Sequence, residues 1–70
     1  MKKEELASKI GKRIIQIREK RGWTQSDLAR ACLKDRQSIE RIESGKTNPT
    51  LFTLYVIATA LEVPMSDLFK

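Results

Sequence analysis

Histidine is absent from this chain of 70 residues, and cysteine occurs once, as Cys32. One cysteine closes no internal disulfide. Without histidine, and with one thiol, there is no set of about four Cys/His ligands for a zinc ion. No metal and no other cofactor is therefore expected. Long apolar runs are missing too: the longest uncharged stretch, Thr47 to Leu61, falls short of the roughly 20 residues that cross a bilayer. Met1-Lys2-Lys3-Glu4-Glu5 opens a charged amphipathic segment and not an apolar signal region, so a cytoplasmic location and no membrane partner are expected. Repeats, low-complexity tracts and strand-like alternation are also lacking. With no histidine, no glycine-rich phosphate loop and scarcely enough chain to enclose a pocket, an enzyme is not expected.

What is present is a balance of 40% hydrophobic and 33% charged residues, which is globular and not disordered. The length allows one domain, residues 1–70, with a core so small that efficient packing or a second subunit must support it. The net charge is +5, which suits an anionic partner such as a nucleic acid, or simply a basic soluble protein. Its distribution says more. Residues 1–21 hold eight basic and three acidic side chains, residues 22–48 five and four, and residues 49–70 one and two. A phosphate-facing surface should come from the first 48 residues.

The apolar period is helical throughout. Leu6, Ile10, Ile14 and Ile17 form one stripe, predicting a helix from about Glu4 to Lys20 that Gly22 ends. Thr24 with Asp27 reads as a capping box, with Trp23 and Leu28 as a hydrophobic staple, ahead of a short helix from Gln25 to Cys32. Leu28, Ala29 and Cys32 would face inward, since a free cysteine behaves as a small buried hydrophobe. Asp35 caps a third helix, Arg36 to Glu43, with Ile39 and Ile42 inward and Gly45 at its end. Only Leu33 and Lys34 lie between the second helix and this cap, so residues 24–43 read as a helix-turn-helix unit. Thr50 caps a fourth helix to Leu61, with Leu51, Leu54, Ile57, Ala58 and Leu61 as its core stripe. Pro64 opens a last turn whose Met65, Leu68 and Phe69 close the core.

With Ile39 and Ile42 inward, Arg36, Gln37, Glu40 and Arg41 lie on the outer face of the third helix. Arginine can bond guanine O6 and N7, and glutamine adenine N6 and N7, in bidentate fashion. Helix-turn-helix proteins present such residues at the N-terminus of this helix. Two readings fit this face: a base-reading surface and an ordinary solvated one. Thr24 and Gln25 sit at the N-terminus of the second helix, where free N–H groups and the helix dipole favour a phosphate. Capping is a sufficient role for Thr24 as well. Ser38, in the first turn of the third helix, is a further phosphate candidate.

Residues 10 to 69 resemble the lambda-repressor-like, or XRE-type, helix-turn-helix family. Carrying the resemblance are Ile10-Gly11-Lys12-Arg13, Arg18-Glu19-Lys20-Arg21-Gly22, Thr24-Gln25 with Leu28-Ala29, Ile39 to Gly45, Asn48-Pro49-Thr50-Leu51 and Ile57 to Leu61. The resemblance implies a compact, all-α, five-helix fold that binds duplex DNA. It implies that Gln25 touches phosphate and braces the recognition helix, and that Arg36, Gln37 and Arg41 read bases. It places Lys46 and Thr47 in a phosphate-holding loop, and pairs Arg18 with Glu43 as an ion pair that is architecture. Three positions depart from the pattern. Leu33 and Glu62 stand where glycine is usual, and Lys34 where an apolar residue is usual. A leucine at positive φ costs roughly 1–2 kcal/mol, so either the turn differs or it is strained, and the tilt of the recognition helix depends on which.

Phe52, Val56 and Thr59 add a second stripe to the fourth helix, and Ile15 a surplus apolar residue to the first. Such a stripe suits an interface, or wider coverage of a small core. The reading that results is a sequence-specific, duplex-DNA-binding transcriptional regulator, a repressor on a pseudo-palindromic operator, dimerising through Phe52, Val56 and Thr59. The alternative is an antitoxin-like adaptor whose main partner is another protein.

Overall fold

The computed structural model describes residues 1–70. Four α-helices follow one another: α1 (Lys3–Lys20), α2 (Gln25–Ala31), α3 (Arg36–Glu43) and α4 (Leu51–Leu61). The fifth element, Met65–Phe69, is a 3₁₀ turn. Each of the three short helices starts on a side-chain cap. Thr24 Oγ1 accepts from the Asp27 N–H while the Asp27 carboxylate accepts from the Thr24 N–H. Asp35 Oδ1 accepts from the Ser38 N–H at 2.7 Å, and Thr50 Oγ1 from the Thr53 N–H at 3.1 Å.

All four helices end by one device. The residue after the cap turns left-handed at α1, α2 and α3, and the cap Glu62 itself does so at α4, while two backward hydrogen bonds close the last turn. At α1 the Gly22 N–H bonds Glu19 O and the Trp23 N–H bonds Arg18 O; at α3 Gly45 and Lys46 bond Ile42 O and Arg41 O. Leu33 and Lys34 do the same to Arg30 O and Ala29 O, and Glu62 and Val63 to Thr59 O and Ala58 O. The left-handed residue is glycine at two of these ends, but Leu33 has φ +57° and Glu62 φ +60°. The turn of the helix-turn-helix thus keeps the glycine geometry without the glycine, and its leucine is strained.

Ile10, Ile14, Ile17, Leu28, Ala29, Cys32, Ile39, Ile42, Leu54, Ile57, Ala58, Leu61 and Leu68 form one buried cluster, with Trp23, Val56, Val63 and Met65 packed against it. Three residues expected in this core lie outside it. Leu6 is exposed, and Ala7 one position on is buried in its place, because the buried face of α1 runs through Ala7, Gly11 and Arg18. There α1 crosses α3 closely: a Cβ on Gly11 would lie 2.6 Å from Ile42 O. Leu51 sits in the first turn of α4, where nothing covers it. Phe69 is turned outward because a 3₁₀ turn repeats every three residues, so Met65 and Leu68 share the inward face and Phe69 does not.

Candidate nucleic-acid interface

A chain of hydrogen bonds leads from the core to the outer face of α3. Arg18 grips the Glu43 carboxylate with Nε at 2.6 Å and Nη2 at 3.0 Å, and its Nη1 donates to Trp23 O. Glu43 Oε1 also accepts from Gln25 Nε2 at 3.0 Å, and Gln25 Oε1 accepts from Arg36 Nη1 at 3.2 Å. The chemistry orients each link. A carboxylate accepts only, so the Gln25 amide must turn its NH₂ inward and its oxygen outward. That outward oxygen is the acceptor that holds the first residue of α3. The pair beneath it is buried on both sides, and the Glu43 hydrogen bond raises the Arg18 pKa further.

Around this chain, Arg36, Gln37 and Arg41 are exposed and Glu40 is half-buried. Glu40 is not free: its carboxylate lies 3.9 Å from Lys46 Nζ, which ties α3 to the loop behind it. Arg41 and Ser38 line a groove of about 250 Å³ between α3 and the first turn of α4, together with Thr47. Lys34, Ile42, Asn48, Pro49, Thr50 and Thr53 complete it, and no acidic side chain enters it. Sequence reasoning missed Lys34 and Asn48. The signal was a cation at the turn position where an apolar residue is usual.

The helix N-termini are less open than their sequence suggests. At α3 the Asp35 carboxylate takes the Ser38 N–H, and hydrogen bonding by Ser38, side chain first and backbone N–H second, holds Asp35 below its usual carboxylate range. Asp27 is lowered likewise, by the Thr24 N–H it accepts. Thr24 is exposed and Gln25 half-buried beside the recognition helix. On α4, Phe52 is 73% exposed and stacks on Tyr55, with ring centroids 6.5 Å apart. Thr59 is exposed, whereas Val56 packs against the core, so the free surface of α4 is made by Leu51, Phe52, Tyr55 and Thr59. No group of His, Cys, Asp or Glu is arranged to hold a metal ion, and no helix is long and apolar enough to cross a membrane.

Residues 14–68 match the HTH_3 family, described as Helix-turn-helix. The chain is 40% identical over 63 residues to the HTH-type transcriptional regulator SutR of Escherichia coli K12, covering 90% of this chain and 35% of that protein. It is 40% identical over 57 residues to an uncharacterized HTH-type transcriptional regulator of Archaeoglobus fulgidus, 81% of each chain. Among solved structures it resembles the restriction-modification controller protein C.AhdI from Aeromonas hydrophila. The TM-score is 0.88 at 32% identity, over 90% of this chain and 96% of that one. The chain therefore spans about a third of the bacterial regulator and most of the archaeal one and of the controller protein.

Proposed function

Because the chain belongs to the helix-turn-helix family of DNA-binding transcriptional regulators, we propose that it represses transcription as a homodimer on a pseudo-palindromic operator. The observation that carries this reading is the braced outer face of α3, where Arg36 is held by Gln25 and thereby by the buried Arg18–Glu43 pair. A side chain ordered before binding loses less freedom when it meets a base. Arg36, Gln37 and Arg41 read bases, with Glu40 able to accept from cytosine N4 while fixing Lys46. Thr24, Gln25, Ser38, Lys46 and Thr47 hold phosphates on either side of the groove, and the acid-free groove beside Arg41 suits the second of these tracks.

A two-fold contact through α4 supports two recognition helices about 34 Å apart, one turn of duplex. The contact surface is Phe52 and Thr59 with Leu51 and Tyr55, and Val56 backs them from the core side. Helix α4 contains no charged residue, which fits a surface that meets a copy of itself and not phosphate.

Selection from a random duplex library tests the reading. A preferred sequence with inverted half-sites is the expected result, and no enrichment sinks it. On the selected duplex, Arg36→Ala, Gln37→Ala and Arg41→Ala should each cost about 1–3 kcal/mol of binding, the worth of a good bidentate base contact. On a scrambled duplex Gln37→Ala should cost least, because glutamine carries no charge.

A further inference from the structure

Leu33 carries two costs at one position. Its φ of +57° is the left-handed conformation that a leucine adopts only under strain. Its side chain is 95% exposed, more than any other large hydrophobic in the chain. Glu62 shares the conformation but has a return for it: its carboxylate pairs with Arg21 at 3.1 Å, and Arg21 also donates to Leu61 O. Leu33 packs against nothing. A glycine would keep both hydrogen bonds that end α2 and would relieve the strain. Strain kept without a structural return points to a role in binding.

The surroundings say what is bound. Leu33 precedes the α3 cap, Asp35, by two residues and Arg36 by three. Its neighbour Lys34 lines the groove that also holds Ser38 and Arg41 of the recognition helix. Arg30, Lys34 and Arg36 are exposed cations flanking it in sequence; Arg30 pairs with Asp27, and Asp35, the acid between Lys34 and Arg36, caps α3. An apolar tip set among cations at the leading end of a recognition helix matches one feature of duplex DNA. That feature is the thymine 5-methyl group, an apolar point in a groove walled by phosphates, read elsewhere by apolar side chains. We infer that Leu33 is a specificity-determining residue that packs on a thymine methyl group at the edge of each operator half-site. The inference rests on the DNA-reading function proposed above.

The probe is the duplex recovered by selection, with deoxyuridine replacing each thymine in turn to remove only the methyl group. At one thymine per half-site, the replacement should weaken wild-type binding about four- to tenfold, the worth of a buried methyl with its neighbouring contacts. Leu33→Gly should melt at a higher temperature than wild type, bind the thymine duplex more weakly by the same factor, and be indifferent to deoxyuridine there. Leu33→Asn, which keeps a side chain that tolerates the left-handed turn, should match the glycine variant in binding. Equal affinity of wild type and Leu33→Gly for the selected duplex overturns the inference, as does equal sensitivity of both to every deoxyuridine, and in either case the DNA-reading function stands. A library that yields no preferred duplex overturns both.

Discussion

At Arg18 all three guanidinium nitrogens are engaged, two by the Glu43 carboxylate and one by the Trp23 carbonyl. Arg18→Ala would leave Glu43 charged, buried at 4% exposure and served only by Gln25. Breaking a buried pair from one side costs about 3–5 kcal/mol, a large share of what a small domain possesses. Thermal melts should show the loss with or without DNA, and a variant that melts normally but fails to bind would move Arg18 from architecture to the phosphate surface. The helix caps give a separate pH signature. Asp27 is lowered from its usual value by hydrogen bonds from the backbone and side chain of Thr24, and Asp35 by hydrogen bonds from the side chain and backbone of Ser38. A carboxylate with a depressed folded-state pKa contributes stability that is present above its unfolded value and lost as pH falls through the folded value. Melting temperature should therefore hold between neutral pH and about 4 as far as these two caps act, and drop below it. Asp35→Asn, which caps without titrating, should make that acid drop shallower. An unchanged drop would show that other carboxylates govern acid unfolding.

Among the elements, α1 and α3 cross in close contact at Gly11. Glycine at position 11 lets the backbone of α1 rest on the last carbonyls of α3, and the residue is buried. Gly11→Ala would drive a Cβ into backbone atoms, which cannot rotate away as a side chain can. Overpacking of this kind costs about 1–3 kcal/mol, despite the helix propensity an alanine would add. A melting temperature equal to or above wild type would mean that α1 slides to make room, and the Arg18–Glu43 pair would report the shift through weaker DNA binding. The sequence made this joint only half legible. Helix spans and caps could be read to within a residue, because capping side chains and apolar spacing act locally. Leu6, Leu51 and Phe69 were misplaced for other reasons, because apolar spacing fixes neither the edge of a buried face, nor the period of a short turn, nor how far a neighbouring element reaches. Leu6 borders the face of α1 that Ala7 and Gly11 bury, Leu51 lies in a first turn that nothing covers, and Phe69 follows a three-residue period where a helical one was assumed. The outward face of α3 was legible in the sequence, and the groove beside it was not. The outward residues of α3 follow from its two inward isoleucines, whereas the groove joining Lys34, Asn48 and Thr50 exists only once α4 is placed beside α3.

For the whole molecule, α4 stands apart from the charged surface: it carries no charged residue yet exposes three large apolar side chains, whereas the exposed Leu33 sits beside cations. The exposed cations of the binding face lie on α3, the turn before it and the loop behind it, while α4 turns an uncharged surface of Leu51, Phe52, Tyr55 and Thr59 to solvent. Leu51 and Phe52 are each more than 70% exposed, and Tyr55 is 55% exposed. Burying such side chains is worth about 25 cal/mol per Å², and a chain this short has little other apolar burial to draw on. Val56 is half-buried against the core, so a charge there would damage the monomer as well as any interface. Substitution of the two outermost rings separates these effects. Phe52→Lys with Tyr55→Glu should leave a folded chain that sediments as a monomer at micromolar concentration, where wild type sediments as a dimer. Each chain would still meet a half-site, but the duplex would no longer be gripped at two points at once, and the gain from effective concentration would vanish. Binding to the full palindrome should then fall by about two orders of magnitude or more, while binding to an isolated half-site stays within a few-fold of wild type. A wild-type chain that sediments as a monomer and occupies half-sites independently would defeat the two-fold arrangement through α4.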